Sequence, residues 1–244
     1  MEETKKPFVS TVMEGKYCTI SSQKPMTCVP FNDNTRKFFE RSYYGNLYNS
    51  DMELILDIFE NVVEDTESNA FQISDKADIP RNKKPAFILL NSIESLYLIE
   101  RQKLKVFTDD GTEMSFNDLI EITMKSDQRI WQKYIVYRDI RQRGYIIRAG
   151  YGGRADFRVF ARGAKFAKDS AKYVYFIIQD GIPVALNELD GVVNQVLGDR
   201  KNLILAIFDK LGDSTFYNLQ RFKFKKVTEF DKMWNRETIV TPNN

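Results

Sequence analysis

Residues 134–173 read YIVYRDIRQRGYIIRAGYGGRADFRVFARGAKFAKDSAKY, and within them the spacing of apolar side chains changes from helical to extended. Ile130, Tyr134, Tyr137 and Ile140 recur at steps of three and four, which predicts a helix from about Asp127 to Arg143 with one buried face. Gly144 is well placed to end it. Beyond that glycine, Tyr145 to Ala149, Phe157 to Phe160 and Tyr173 to Ile178 read as strands. Gly150, Gly152 and Gly153 supply a turn in which backbone can approach closely, either a plain hairpin turn or, beside Arg154, a phosphate cradle.

The same alternation continues downstream. A helix from about Asn187 to Leu197 would bury Leu189, Val192, Val193 and Val196, and Arg200 and Lys201 come just before the apolar strand Leu203 to Phe208. The strand Thr215 to Phe224 follows the hairpin Asp209-Lys210-Leu211-Gly212-Asp213. Upstream, Asn91 with Glu94, and Ser115 with Asp118, are capping-box starts for helices to about Lys103 and beyond Ile120. Their predicted inward faces carry Ile93, Leu96, Tyr97 and Ile99, then Phe116, Leu119 and Ile120. Phe87 to Leu90 reads as a short strand. Residues 51–63, DMELILDIFENVV, have helix-like spacing through which a buried strand can partly be written, and 64–85 is a polar, charged stretch read as an insertion. Residues 1–35, broken by Pro7, Pro25 and Pro30, read as an irregular, strand-poor lead-in.

The class is α/β. An N-terminal α/β domain is expected over 1–130, a C-terminal domain with a mixed sheet flanked by helices over 131–227, and a tail over 228–244, where Trp234 and Arg236 are candidates for stacking on a base. With 244 residues and 43% hydrophobic content the chain can bury a sizeable core. No apolar run approaches the roughly 20 residues of a membrane span, and MEETKKPF lacks the apolar core of a signal peptide, so a cytoplasmic protein with no membrane contact is expected. In that compartment Cys18 and Cys28 are expected to be reduced rather than bridged. They have no histidine beside them, since the chain contains none, and no metal or cofactor is expected.

The motifs YxxYRDxRxRGY, GYGGRADFRVF, KDSAKYVYFII, NELDGVVNQVLGDRKNLILAIFD and GDSTFYN resemble, in identity and order, the C-terminal domain of the archaeal tRNA-splicing endonuclease family. YYGNLYNS and FILLNSIESLYLIERQKLKVF resemble its N-terminal domain more weakly, and the matches span most of residues 40–220. The resemblance implies a nuclease-like C-terminal fold and a metal-free cleavage of RNA. In it a tyrosine takes the proton of the ribose 2′-hydroxyl, a histidine protonates the leaving 5′-oxygen and a lysine stabilises the charged phosphorane. Carried over residue by residue, the tyrosine place is Phe160, the histidine place Ser170 and the lysine place Lys201. Phenylalanine cannot move a proton, and a serine hydroxyl does not titrate near neutral pH, whereas each positioned acid or base contributes roughly 10²- to 10⁴-fold. The resemblance therefore implies a non-catalytic subunit, partnered with a catalytic one in a hetero-oligomer, a tetramer, on precursor tRNA.

Charge is distributed to match. Residues 1–130 hold 16 Lys and Arg against 22 Asp and Glu, and residues 131–244 hold 20 against 12. Seven arginines fall between Arg138 and Arg162. Arg138, Arg141, Arg154, Arg158 and Lys201 are the candidate RNA contacts, because the arginine fork suits phosphate oxygens. Set against this is a solvated basic face with intramolecular partners such as Asp139 and Asp156. The family resemblance also implies an acidic docking loop at Asp209 and Asp213, which are turn formers in their own right. It further implies strand pairing between subunits through TFYNLQRFKF, whose candidate interface residues are Phe216, Tyr217 and Phe222. Two other readings stay open: an enzyme using Tyr151 or Tyr173, or a metal on Asp156, and a stand-alone module that binds structured RNA.

Overall fold

The computed structural model describes residues 12–19, 24–51, 54–56, 85–150, 155–164 and 169–220. The expected insertion, apart from Pro85, and the tail lie outside these residues.

The N-terminal half is built on a seven-stranded mixed sheet. Its first two strands, β1 (Met13–Thr19) and β2 (Pro25–Pro30), pair antiparallel, so the strand-poor reading of residues 1–35 is corrected. The two prolines that suggested irregularity sit at the ends of β2, where a missing donor costs little. Helix α1 (Asp33–Ser42) follows, capped by Asn32, whose side chain accepts from the Asn34 and Thr35 amides. Next come β3 (Asn46–Tyr48) and β4 (Leu54–Leu56), antiparallel to each other. Residues 54–56 are thus strand, not helix: short branched apolar runs satisfy either period, and here pairing with β3 decides. After β5 (Phe87–Asn91) come helix α2 (Ser92–Glu100), the strands β6 (Leu104–Phe107) and β7 (Glu113–Met114), and helix α3 (Phe116–Ser126). The strand order is β4-β3-β5-β2-β1-β6-β7.

Both capping boxes form, Asn91 with Glu94 and Ser115 with Asp118. Caps of this type contribute about 1 kcal/mol each. Helix α2 ends at Glu100, short of Lys103, and it is buried on more than one side: Ser92, Glu94 and Ser95 are inside along with Leu96, Tyr97 and Leu98. The polar members have partners. Ser95 Oγ donates to Thr27 Oγ1 at 2.9 Å, and Ser92 Oγ donates to the Pro25 carbonyl.

Cys18 and Cys28 are paired as a disulfide, which corrects the expectation of free thiols. The register explains the proximity. Lys16 faces Cys28 and Cys18 faces Met26, so the two cysteines are diagonal neighbours across the strand pair, with Cα atoms 6.5 Å apart and within bridging reach.

Helix α4 (Ile130–Gln142) opens the second half, with Ile130, Tyr134, Tyr137 and Ile140 all buried, and Gly144 after it takes a left-handed φ of 84°. Strands β8 (Ile146–Ala149), β9 (Phe157–Phe160) and β10 (Tyr173–Gln179), helix α5 (Leu186–Gly198), β11 (Asn202–Phe208) and β12 (Ser214–Leu219) complete it. The sheet order is β12-β11-β10-β9-β8, with β10 and β11 parallel and the other pairs antiparallel. Helix α5 is the crossover that a parallel pair requires.

β10 is apolar on both faces because both are covered. Val174 and Phe176 pack with Val192, Val193 and Val196 of α5, whereas Ile177 joins the core shared with α4. That second core does not stop at the sheet. It runs through Tyr137, Tyr97 and Leu96 to Val29, Leu47 and Leu90 of the N-terminal sheet.

Candidate functional site: a sheet end and its basic neighbours

The register of the C-terminal sheet gathers the three family positions. Val159 on β9 faces Tyr173 on β10, which faces Asn202 on β11. Phe160 is one residue past that row, Lys201 one residue before it, and Ser170 three before Tyr173, so all three occupy the same end of the sheet. The backbone there is tightly pinned: the Lys172 amide donates to the Val159 carbonyl at 3.0 Å, and the Asn202 amide donates to the Lys172 carbonyl at 3.1 Å.

Each position has a different environment. The Phe160 ring is 1% exposed and belongs to the core, together with Ala164 and Ala171. Ser170 is exposed. Lys201 is delivered to the start of β11 by Arg200, which takes a left-handed φ of 54° just after α5, while the Lys201 amide donates to the Val196 carbonyl at 3.0 Å. Its side chain is 21% exposed, and the ammonium lies 4.0 Å from Asp199. It borders an open hollow of about 590 Å³ formed with Asn194, Leu197, Asn202, Leu219 and Gln220. Burial pulls the Lys201 pKa below the ordinary lysine value; Asp199 opposes the shift and the charge of Arg158 adds to it. Arg158 can do so because Arg158, Val174 and Leu203 form one row, and Lys201, two residues before Leu203, falls on the same face. Two cations therefore share this end of the sheet.

The other candidate arginines are differently employed. Arg141 donates through Nε to the Tyr44 hydroxyl at 2.9 Å, through Nη1 to the Tyr145 carbonyl at 3.1 Å and through Nη2 to the Ser42 carbonyl, with its guanidinium 4.0 Å from the centre of the Tyr44 ring. It is a tie between the two halves and has little left for RNA, contrary to its expected role. Arg138 pairs with Glu100 at 3.1 Å, and Arg143 pairs with Asp139 at 3.0 Å. Arg158 Nε donates to the Ala149 carbonyl at 2.9 Å. Arg154, Tyr151 and Phe222 lie outside the described residues.

Arg148, within the quoted motif, is the residue whose importance was hardest to foresee. Its side chain is 6% exposed, paired at 3.2 Å with Glu94, itself 2% exposed. Arg148 Nη1 also donates to the Gly45 carbonyl at 3.0 Å, and Nη2 donates to Asn46 Oδ1. Glu94 accepts in addition from the amides of Gly45 and Asn91, both at 3.1 Å. Gly45 must be glycine for this: its φ is 69°, and a Cβ would come within 2.7 Å of the Leu89 carbonyl oxygen. The capping box signalled Glu94 as a helix start, and it gave no sign of a partner 54 residues away.

Between the halves lies a cavity of about 480 Å³ whose lining includes Lys24, Asp127, Arg129, Lys133, Arg148 and Asp156. Its charges are largely matched within the protein. Lys133 meets Asp127 at 2.6 Å, and Asp156 holds Arg129 at 3.3 Å while accepting from the Ile177 amide at 2.8 Å. Asp156, considered for a metal, is thus occupied with structural partners.

At the opposite end of the sheet Asp209 Oδ1 accepts from the amides of Leu211 and Asp213 at 2.8 and 2.9 Å, so this carboxylate shapes its own hairpin. Asp213 is exposed. On β12 Phe216 packs edge-on against Tyr175 with ring centres 5.8 Å apart, and Tyr217 is 54% exposed on the outer strand of the sheet.

A protein with this arrangement, a mixed five-stranded sheet between α4 and α5 joined through a shared core to a second sheet, matches two family models. One, tRNA intron endonuclease, catalytic C-terminal domain, covers residues 130–216, and the other, tRNA intron endonuclease, N-terminal domain, covers residues 26–120. Among curated proteins, the tRNA-splicing endonuclease of Thermococcus onnurineus is 34% identical over 137 residues, spanning 56% of this chain and 78% of that protein. Those of Methanococcus vannielii, 31% identical over 56% of this chain and 77% of the relative, and of Methanothermobacter thermautotrophicus, 34% identical over 52% and 74%, are similar in the same way. The chain belongs to the tRNA-splicing endonuclease family. Among the described residues no helix is long and apolar enough to cross a membrane.

Proposed function

We propose that this chain is a structural subunit of a tRNA-splicing endonuclease, one that assembles with a catalytic subunit and helps to hold intron-containing precursor tRNA. The observation that carries this reading is chemical: at the sheet end where Phe160, Ser170 and Lys201 meet, the first cannot ionise, the second is a hydroxyl, and no histidine exists anywhere in the chain to take either place. A lysine alone can neutralise a phosphate but cannot serve as both base and acid.

The RNA contacts of this reading are Arg138, Arg154, Arg158 and Lys201. Assembly runs through the 209–213 hairpin, with Asp213 as its outward charge and Asp209 as its scaffold, and through the outer strand β12 with Phe216 and Tyr217. Two such chains and two catalytic chains make the expected tetramer, which needs no cofactor.

The test is cleavage of an intron-containing precursor tRNA by the purified chain, in EDTA and in magnesium, alone and after addition of a family member with the complete tyrosine, histidine and lysine set. No product alone and accurate cleavage by the mixture is the expected result. Specific cleavage by the chain alone, leaving cyclic phosphate ends, defeats the proposal.

A further inference from the structure

We propose that Tyr145, Tyr173 and Tyr175, with Arg143, Arg162 and Lys172 around them, form a stacking platform for an unpaired stretch of RNA on the α4 face of the C-terminal sheet. This rests on the reading of the chain as a holder of precursor tRNA, and it adds a site on the face opposite Lys201 and Arg158.

Strand parity separates the two sites. Val174 packs with α5 and shares a row with Arg158, so Tyr173 and Tyr175, on either side of it along β10, belong to the α4 face. Tyr145 enters on that face as well, two residues before Ile147, which lies opposite Val159 and through it Tyr173. The three rings are near neighbours: burial, and after it the Tyr145 and Tyr173 hydroxyls, push the Tyr175 pKa up to about 12. Phe216, edge-on to Tyr175 at 5.8 Å, closes the β12 side.

The tyrosines are half-buried, and none of their hydroxyls has a hydrogen-bond partner among the described residues. Three exposed cations lie over aromatic rings. The Arg162 guanidinium is 5.0 Å from the centre of the Tyr145 ring, the Lys172 ammonium 5.5 Å from Tyr173, and the Arg143 guanidinium 5.9 Å from Phe216. Arg143 is shared with Asp139, whereas Arg162 and Lys172 have no carboxylate partner among the described residues.

A guanidinium layered on a ring is a surface on which a further π-system stacks. An unpaired base supplies that π-system, and its phosphate supplies the counter-charge. A paired stem, whose bases already stack on each other, offers the phosphates alone. Tyrosine and arginine also favour protein contacts, but two uncompensated cations beside three open hydroxyls suit a polyanion better.

The experiment titrates the full chain with a labelled short oligouridylate and with a fully paired RNA hairpin, following anisotropy over a series of salt concentrations. Tyr145→Leu with Tyr173→Leu is expected to weaken oligouridylate binding about 10- to 100-fold and to change hairpin binding little. Arg162→Gln with Lys172→Gln, both on the surface, should weaken it too and lower the salt slope by about 1.4; this variant decides the matter if the leucine variant melts early. Ultraviolet cross-links of the bound oligouridylate should map to Tyr145 or Tyr173. No binding by the wild type, or unchanged affinity and slope in the Arg162 and Lys172 variant, overturns the platform. Cleavage of precursor tRNA by the mixture with a catalytic chain then leaves the subunit reading standing. A variant that keeps its oligouridylate affinity but no longer joins the catalytic chain makes this face a protein contact and overturns the platform as well.

Discussion

The two ends of the C-terminal sheet have opposite characters. At the end where β10 and β11 begin, Phe160 is sealed in the core, the backbone amides of Lys172, Lys201 and Asn202 are all paired, and Lys201 borders an open hollow. At the end where the same strands finish, packing is incomplete, with Leu211 and Leu186 held in water. One end is closed around the Phe160 ring and the other presents apolar side chains to solvent.

The largest expected effect tests what both ends depend on. Arg148→Met leaves Glu94 buried without its cation, and loss of one member of such a pair costs about 3–5 kcal/mol. Thermal melting should show it, and both sheet ends should suffer together; a shift near zero would mean that Gly45 and Asn91 satisfy Glu94 unaided. Smaller is Phe160→Tyr, which sharpens the idea of a closed end. A phenol oxygen placed in that core without a partner should cost about 1–3 kcal/mol. An unchanged melting temperature would show that the para position reaches solvent and that the closed end is open.

Lys201→Met should leave the fold intact, or stabilise it slightly, because burial disfavours the ammonium. The sign follows from its depressed pKa: the native state resists protonation, so this residue penalises the fold below its native pKa, and the penalty fades as pH rises through that value. Precursor tRNA binding should weaken, and the salt slope should drop by about one phosphate's worth, roughly 0.7 to 0.9. Unchanged binding and slope would take Lys201 out of the RNA contacts. Least of all, Asp213→Asn should change stability by less than about 0.5 kcal/mol, since the side chain is on the surface. A larger loss in a denaturant titration would mean that the open end is braced by this charge.

Much of the chain from Asn91 onward was legible because its signals are local. The helix of Ile130, Tyr134, Tyr137 and Ile140, the capping boxes at Asn91 and Ser115, and the strand Phe157–Phe160 rest on period or on contacts three residues apart. The first two strands were hidden by Pro25 and Pro30, whose tolerance at strand ends depends on neighbours. The arginines were misjudged for a related reason. Arg141 read as a phosphate ligand in one dimension, but Tyr44 and Ser42, brought near only by the fold, are its partners, and Arg148 likewise gave no sign of Glu94. That Phe160 and Ser170 carry no acid or base suited to neutral pH was visible because side-chain chemistry needs no geometry to be read. Leu211 was not, since exposure is not written in a hairpin's residues.

The apolar core that passes from Val29 and Leu47 through Tyr97 and Tyr137 to Phe157 gives the chain a genetic property as well as a physical one. The larger interior belongs to neither half alone, and the C-terminal half owns only the smaller cluster under α5. A gene cut between the two sheets would yield two products, each exposing its share of that interior to water.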